Sequence, residues 1–182
     1  MKTVLAAALV LAASTQASEL PPFEFENFDG RVVTNAAFED KTTIVIPTYA
    51  KCIFACPLIT SRLTQLDDAL GEPSDLQYLH VSIQPEEDTA DEILSHFDDH
   101  EIDVARDPRW LFVNAPGDGI RRFLDQTGIE ITRTPVDGGV VIEHTIRGWV
   151  VGPDGRTVTT FDTYFWNEKE MRDAIHDSRE RT

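Results

Sequence analysis

Apolar residues recur along this chain in two periods, and the alternation between them sets the element order. Residues 42–48, Thr-Thr-Ile-Val-Ile-Pro-Thr, form a β-branched run that reads as a buried strand. Leu58, Ile59, Leu63, Leu66 and Leu70 then fall at helical spacing. That predicts a helix starting near Pro57, where a missing N–H costs nothing, and stopping at Gly71. Residues 76–83 read as a second strand. Thr89-Ala90-Asp91-Glu92 is a capping box, with Ile93, Leu94 and Phe97 as the apolar face of the next helix. A short strand at 110–113 and a helix over 119–127 follow, the helix turning Ile120, Phe123 and Leu124 inward and closing at Gly128. Residues 140–151 and 157–161 read as strands around the Gly152-Pro153-Asp154-Gly155 turn signal, and Asn167 is placed to cap a last helix with Glu170.

The predicted order is β-α-β-α-β-α-β-β-α. Strands alternating with helices pair in parallel through crossovers, and the final hairpin is necessarily antiparallel. The expectation is an α/β fold, a central mixed β-sheet with helices on both faces, on the thioredoxin-like plan. It occupies residues 28–182. Residues 18–27 form an extended N-terminal segment containing Phe23 and Phe25.

The start of the chain adds a location. Lys2 precedes an apolar run at 4–13, and Ser14-Thr15-Gln16-Ala17 follows with small residues. This is the tripartite pattern of a cleavable signal peptide, expected at 1–17. About ten apolar residues are too few for a span, which needs roughly 20. The mature chain is therefore expected to be exported, periplasmic or otherwise extracytoplasmic, and without a transmembrane anchor. With 16 Lys+Arg against 32 Asp+Glu in 182 residues, the formal charge is −16. Such a surface repels phosphate backbones, which argues against nucleic acid as a partner.

Chemistry concentrates at Cys52-Ile53-Phe54-Ala55-Cys56-Pro57, on the turn between a buried strand and a helix. That is the carboxyl edge of a parallel sheet, where open α/β folds bind ligands. A thiol at a helix amino end ionises more readily, and the thiolate attacks disulfides and binds soft metals. Three roles fit: a structural disulfide, a dithiol redox centre, or two thiolates of a metal site. A bridge closing about five residues contributes only roughly 2 kcal/mol, so the first is the weakest. Among the histidines, His80 reads as core or strand edge rather than ligand, His96 and His100 as solvated beside Asp98, Asp99 and Glu101, and His176 as surface. His144 precedes a strand whose leading loop faces the cysteine loop in a thioredoxin-like layout. Ile53, Phe54 and Tyr49 are expected to pack.

The segment 48–57, Gln84-Pro85-Glu86-Glu87-Asp88-Thr89, Glu143-His144-Thr145 and Gly152-Pro153-Asp154-Gly155-Arg156 together resemble the Sco/SenC proteins, thioredoxin-like copper chaperones for cytochrome c oxidase assembly. The resemblance spans about residues 28–163. It implies copper as cofactor, with Cys52, Cys56 and His144 as ligands to Cu(I) and Cu(II). It implies a cuproprotein client, such as an oxidase subunit. It also implies thiol–disulfide chemistry at Cys52 and Cys56, so the alternative role is an oxidoreductase that reduces a cuproprotein's cysteines. A peroxidase on the same scaffold ranks last, because Ile53-Phe54-Ala55 offers no polar partner for peroxide.

Overall fold

A computed structural model describes residues 19–115 and 117–181. The expected signal peptide at 1–17 lies outside them. A seven-stranded mixed sheet runs in the order β2-β1-β5-β4-β3-β8-β9. Its strands are β1 (Glu24–Asn27), β2 (Val32–Thr34), β3 (Thr42–Thr48), β4 (Leu76–Ser82), β5 (Trp110–Asn114), β8 (Gly148–Val151) and β9 (Thr157–Phe161). The centre, β5-β4-β3, is parallel, and β1 and β8 flank it antiparallel. The extended lead-in is thus strand β1, joined to β5 through Glu26 and Asn27. A separate two-stranded sheet pairs β6 (Ile131–Val136) with β7 (Gly139–His144).

Residue alternation in the central strands builds two cores. Ile44, Ile46 and Tyr78 point to the side covered by α1 (Ala55–Leu70), α2 (Ala90–Asp98) and α4 (Glu168–Arg179). Val45, Leu79 and Val81 point to the other side, against α3 (Asp118–Gln126) and Phe23, Phe25 and Phe38. This is the α/β architecture expected, helices on both faces of a mixed sheet.

The capping signals act as read. The Thr89 hydroxyl accepts from the Glu92 N–H at 3.3 Å, and the Asn167 side chain accepts from Lys169 and Glu170 at 2.9 and 3.3 Å. Gly71 stops α1 in the left-handed region at φ 78°. The helix begins at Ala55, two residues earlier than Pro57 suggested. Pro57 is tolerated because the N–H groups of a first turn have no helical partner. The Arg109 guanidinium then binds both oxygens of Asp67 at 2.8 Å, fastening the far end of α1 to the start of β5.

Among the described residues there are nine strands where the sequence pattern predicts five: β1, β2 and β6 are additional, and one predicted strand is divided. Residues 140–151 are two strands, with Thr145, Ile146 and Arg147 between them. Residues 139–144 fold back on β6 through the Asp137-Gly138 turn, where Gly138 has φ 91°. The hairpin base is fastened by Thr145 N–H to the Glu130 carbonyl at 2.9 Å, and by Glu130 N–H to the Thr145 hydroxyl at 3.0 Å. Arg147 then turns the chain into β8, bonded to Asp162 at 2.7 Å and the Thr127 carbonyl at 3.3 Å.

Candidate functional site

The cysteine loop leaves the carboxyl end of β3 and is pinned before it reaches Cys52. The Asp88 carboxylate accepts the Ala50 N–H at 2.9 Å and the Ser82 hydroxyl at 2.5 Å, while its carbonyl accepts from the Asn114 side chain at 2.7 Å. One buried acid therefore ties together the ends of β3, β4 and β5. Burial pushes its carboxyl up to about 6. The motif reading quoted Asp88 without giving it a role. Its signal was position: the last of three successive acids, Glu86-Glu87-Asp88, between the end of β4 and the Thr89 cap.

Cys52 and Cys56 are both buried and both free thiols. The Cys56 N–H donates to the Cys52 sulfur at 3.4 Å, as the start of a helix offers its N–H groups to an anion. The Cys56 thiol beside it, opposed by burial and helped by the backbone N–H groups of Cys56 and Phe54, brings the Cys52 pKa down to about 5. The same interaction, together with burial, raises Cys56 well above its ordinary value. The pair is thus one thiolate and one thiol. Tyr49 stands half-buried against them, its own ionisation suppressed by burial and by the Cys52 charge.

His144 ends β7 on the same cleft, a cavity of about 610 Å³ lined by Tyr49, Cys52, Phe54, Glu87, Ile142 and His144 among others. Its ring packs edge-on to Tyr49, centroids 6.5 Å apart. Nδ1 lies 2.9 Å from the Thr145 carbonyl, which only accepts, so Nδ1 carries the proton and Nε2 keeps a lone pair. Burial lowers its pKa, which keeps the ring neutral. A neutral imidazole that donates its other N–H to a carbonyl is the state in which histidine ligates metals. The structure brings the two cysteines together and sets His144 in the wall of a cleft that Cys52, but not Cys56, also lines. Among the described residues no three His, Cys, Asp or Glu side chains are gathered closely enough to hold a metal ion, so Cys52, Cys56 and His144 are not brought into one ligand cluster.

A family model described as SCO1/SenC matches residues 12–179. The chain belongs to the SCO1/SenC family. It is similar to the SCO1 protein homolog of Bacillus subtilis (strain 168), 23% identical over 146 residues that make up 79% of this chain and 74% of the relative. Among solved structures, ScoI of Arabidopsis thaliana with copper bound aligns at TM-score 0.73 and 20% identity, over 91% of this chain and 100% of that one. BsSco, described through a disulfide switch as a member of the Sco family of cytochrome c oxidase assembly proteins, aligns at TM-score 0.74 and 20% identity, over 93% and 98%. At such identities the structural likeness is one of fold.

Around the site of this SCO1/SenC chain, several side chains depart from expectation. Ile53 and Phe54 do not pack: they are 89% and 85% exposed, held outward by the turn that buries both cysteines. His96 is buried, bonded through Nε2 to the Thr60 hydroxyl at 3.1 Å, and His100 is half-buried, bonded to Ser61 at 3.2 Å. The acidic neighbours suggested solvent, but Ile93, His96, Phe97 and His100 share one helical face, and that spacing was the signal. His80 is core, with both ring nitrogens unpartnered among the described residues. His176 is on the surface.

Proposed function

We propose that this chain holds copper through Cys52, Cys56 and His144 and hands it to a cuproprotein such as cytochrome c oxidase, in an exported, periplasmic-type compartment. The observation that carries the reading is a thiolate–thiol pair at the amino end of α1, its Cys52 sharing a cleft with an imidazole whose Nε2 is unprotonated. Two sulfurs suit Cu(I), and an imidazole nitrogen suits Cu(II). Three ligands leave a coordination position for the recipient, which fits cargo that must leave again. The solved relative from Arabidopsis thaliana is described with copper bound, which supports the same cargo here. Export rests on the pattern of residues 1–17. Among the described residues, no helix is long and apolar enough to cross a membrane.

A second role uses the same sulfurs. A Cys52 that ionises at about 5, beside a Cys56 that keeps its proton, is an attacking thiolate with a resolving thiol in reach, suited to reducing a client's disulfide. His144 separates the two roles. Anaerobic titration of the reduced protein with Cu(I) and Cu(II) is the test. His144→Ala is expected to weaken copper by more than the roughly 10- to 100-fold that follows loss of a ligand's outer hydrogen-bond partner, while leaving disulfide exchange intact. Unchanged copper affinity, or equal loss of both activities, would refute the ligand assignment.

A further inference from the structure

The cleft beside the cysteines is bordered by an unpaired strand edge. Val140, Val141, Ile142, Glu143 and His144 all line it, and no residue of β6 does. Successive strand residues point to opposite faces, so one face of the hairpin cannot supply all five. β7 therefore meets the cleft edge-on.

The register says what that edge offers. The Asp137-Gly138 turn is closed by the Val136–Gly139 pair, and beyond the other end Thr145 N–H bonds the Glu130 carbonyl. Hydrogen-bonded and non-hydrogen-bonded pairs alternate between these points, which makes Pro135–Val140, Arg133–Ile142 and Ile131–His144 the non-hydrogen-bonded ones. Their main-chain groups point away from the hairpin. On β6 that outer edge is blunted, because Pro135 has no N–H. On β7 the N–H and C=O of Val140, Ile142 and His144 have no main-chain partner among the described residues, where β7 pairs with β6 alone. Five residues at about 3.3 Å each give an edge of about 17 Å.

The opposite wall and the rim are equally particular. Ile53 and Phe54, almost wholly exposed, stand on the cysteine side of the cleft. Of its charged residues, Lys51 is engaged by Glu92 at 3.1 Å, while Glu87 and Glu143 make no ion pair among the described residues. The rim is net negative on a chain of formal charge −16.

We propose that this cleft docks an extended segment of the copper-receiving protein, added as a strand along β7. Its apolar side chains alternate against Ile53 and Phe54, and basic residues at its ends face Glu87 and Glu143. Main-chain pairing supplies the affinity and the two walls supply the selection, the usual division in strand addition. Docked this way, a segment passes directly alongside Cys52. Only the partner's identity as copper recipient rests on the proposed function; the groove itself does not.

The probe is a fluorescein-labelled peptide of alternating valine and threonine with lysine at both ends, lacking cysteine, methionine and histidine. Anisotropy is read on the reduced mature protein with a copper chelator present, so copper binding is scored separately. Saturable binding is expected. A peptide methylated on alternate main-chain nitrogens is expected to bind more weakly by about fivefold per lost hydrogen bond, and Val140→Pro to cost at least about fivefold. Ends of glutamate in place of lysine are expected to weaken binding in low salt. Pro135→Val, on the edge away from the cleft, leaves the affinity unchanged. Amide exchange on the unaltered protein is the independent readout: peptide slows exchange at Val140 and Ile142. No binding, binding indifferent to methylation, or protection absent from β7 overturns the proposal. So does protection of β7 without peptide that grows with protein concentration, which would make a second copy of this chain the occupant. Failure of the peptide with copper binding intact sinks the docking alone; the converse sinks the copper reading alone.

Discussion

Replacing His96 with glutamine is expected to remove the acid destabilisation that comes from burying its ring. The His96 ring is buried between β4 and α1, its centroid 5.9 Å from that of His80 and 5.0 Å from that of His100, with Nε2 on the Thr60 hydroxyl. Burial, reinforced by His100 and opposed by Asp99, brings its pKa from 6.5 down to about 4. Above pH 6.5 the ring is neutral in both states and its contribution is complete. Between 6.5 and 4 the unfolded chain takes up a proton that the folded chain refuses, so stability falls with pH. At about 1.36 kcal/mol per pH unit, that interval is worth about 3 kcal/mol. His80 and His100 are shifted the same way by burial and add to the loss. Asp88 opposes them. Its carboxyl is raised from 3.8 to about 6, so the folded state gains the proton first, and stability rises by about 3 kcal/mol as pH falls across that range. The His96 and Asp88 effects nearly cancel, so the profile of the unaltered protein alone proves little. The difference between it and His96→Gln isolates the imidazole, because Asp88 is common to both. Urea denaturation at about pH 7, 5.5 and 4 is expected to show that difference moving by about 3 kcal/mol in the variant's favour towards acid. Parallel profiles would refute the burial argument.

Two further outcomes follow from the site and the sheet. Thiolate absorbance of the reduced protein is expected to show Cys52 ionising near pH 5, with Cys56→Ala moving it up towards the ordinary value of 9.0; iodoacetamide should modify Cys52 before Cys56, and equal rates would contradict the shared proton. Gly148→Ala would drive a Cβ into the Phe161 ring, itself packed on Trp166 at 5.4 Å, so a loss of about 1–3 kcal/mol is expected by denaturation, partly recovered by adding Phe161→Leu.

What the sequence made legible were the segments whose local signals agree with their burial. The β-branched run at 42–48 is β3 to the residue, and the Thr89 and Asn167 caps open α2 and α4. The site pairing of Cys52 with Cys56 followed from spacing alone. The β6–β7 hairpin was hidden because both its faces are largely exposed, so period-two alternation carries no signal there, and Pro135 argues against a strand. The β-branched run through 140–151 then read as continuous, although the break at 145–147 is made by tertiary bonds of Thr145 and Arg147. Local polarity misled at His96 and Phe54 in opposite directions: Asp98 and Asp99 drew attention to solvent where the ring is buried, and apolar character suggested burial where the turn presents the ring outward.

The imidazole and the two sulfurs are housed in different sheets. The cysteines hang from β3 and α1 in the main body, while His144 closes a small hairpin whose two ends meet at the Glu130–Thr145 clasp. A unit that enters and leaves the chain at one point is a natural graft. Exchanging residues 131–144 for the corresponding hairpin of a relative would replace the half of the proposed copper site that carries His144, and the edge beside it, while leaving the mounting of the two cysteines untouched.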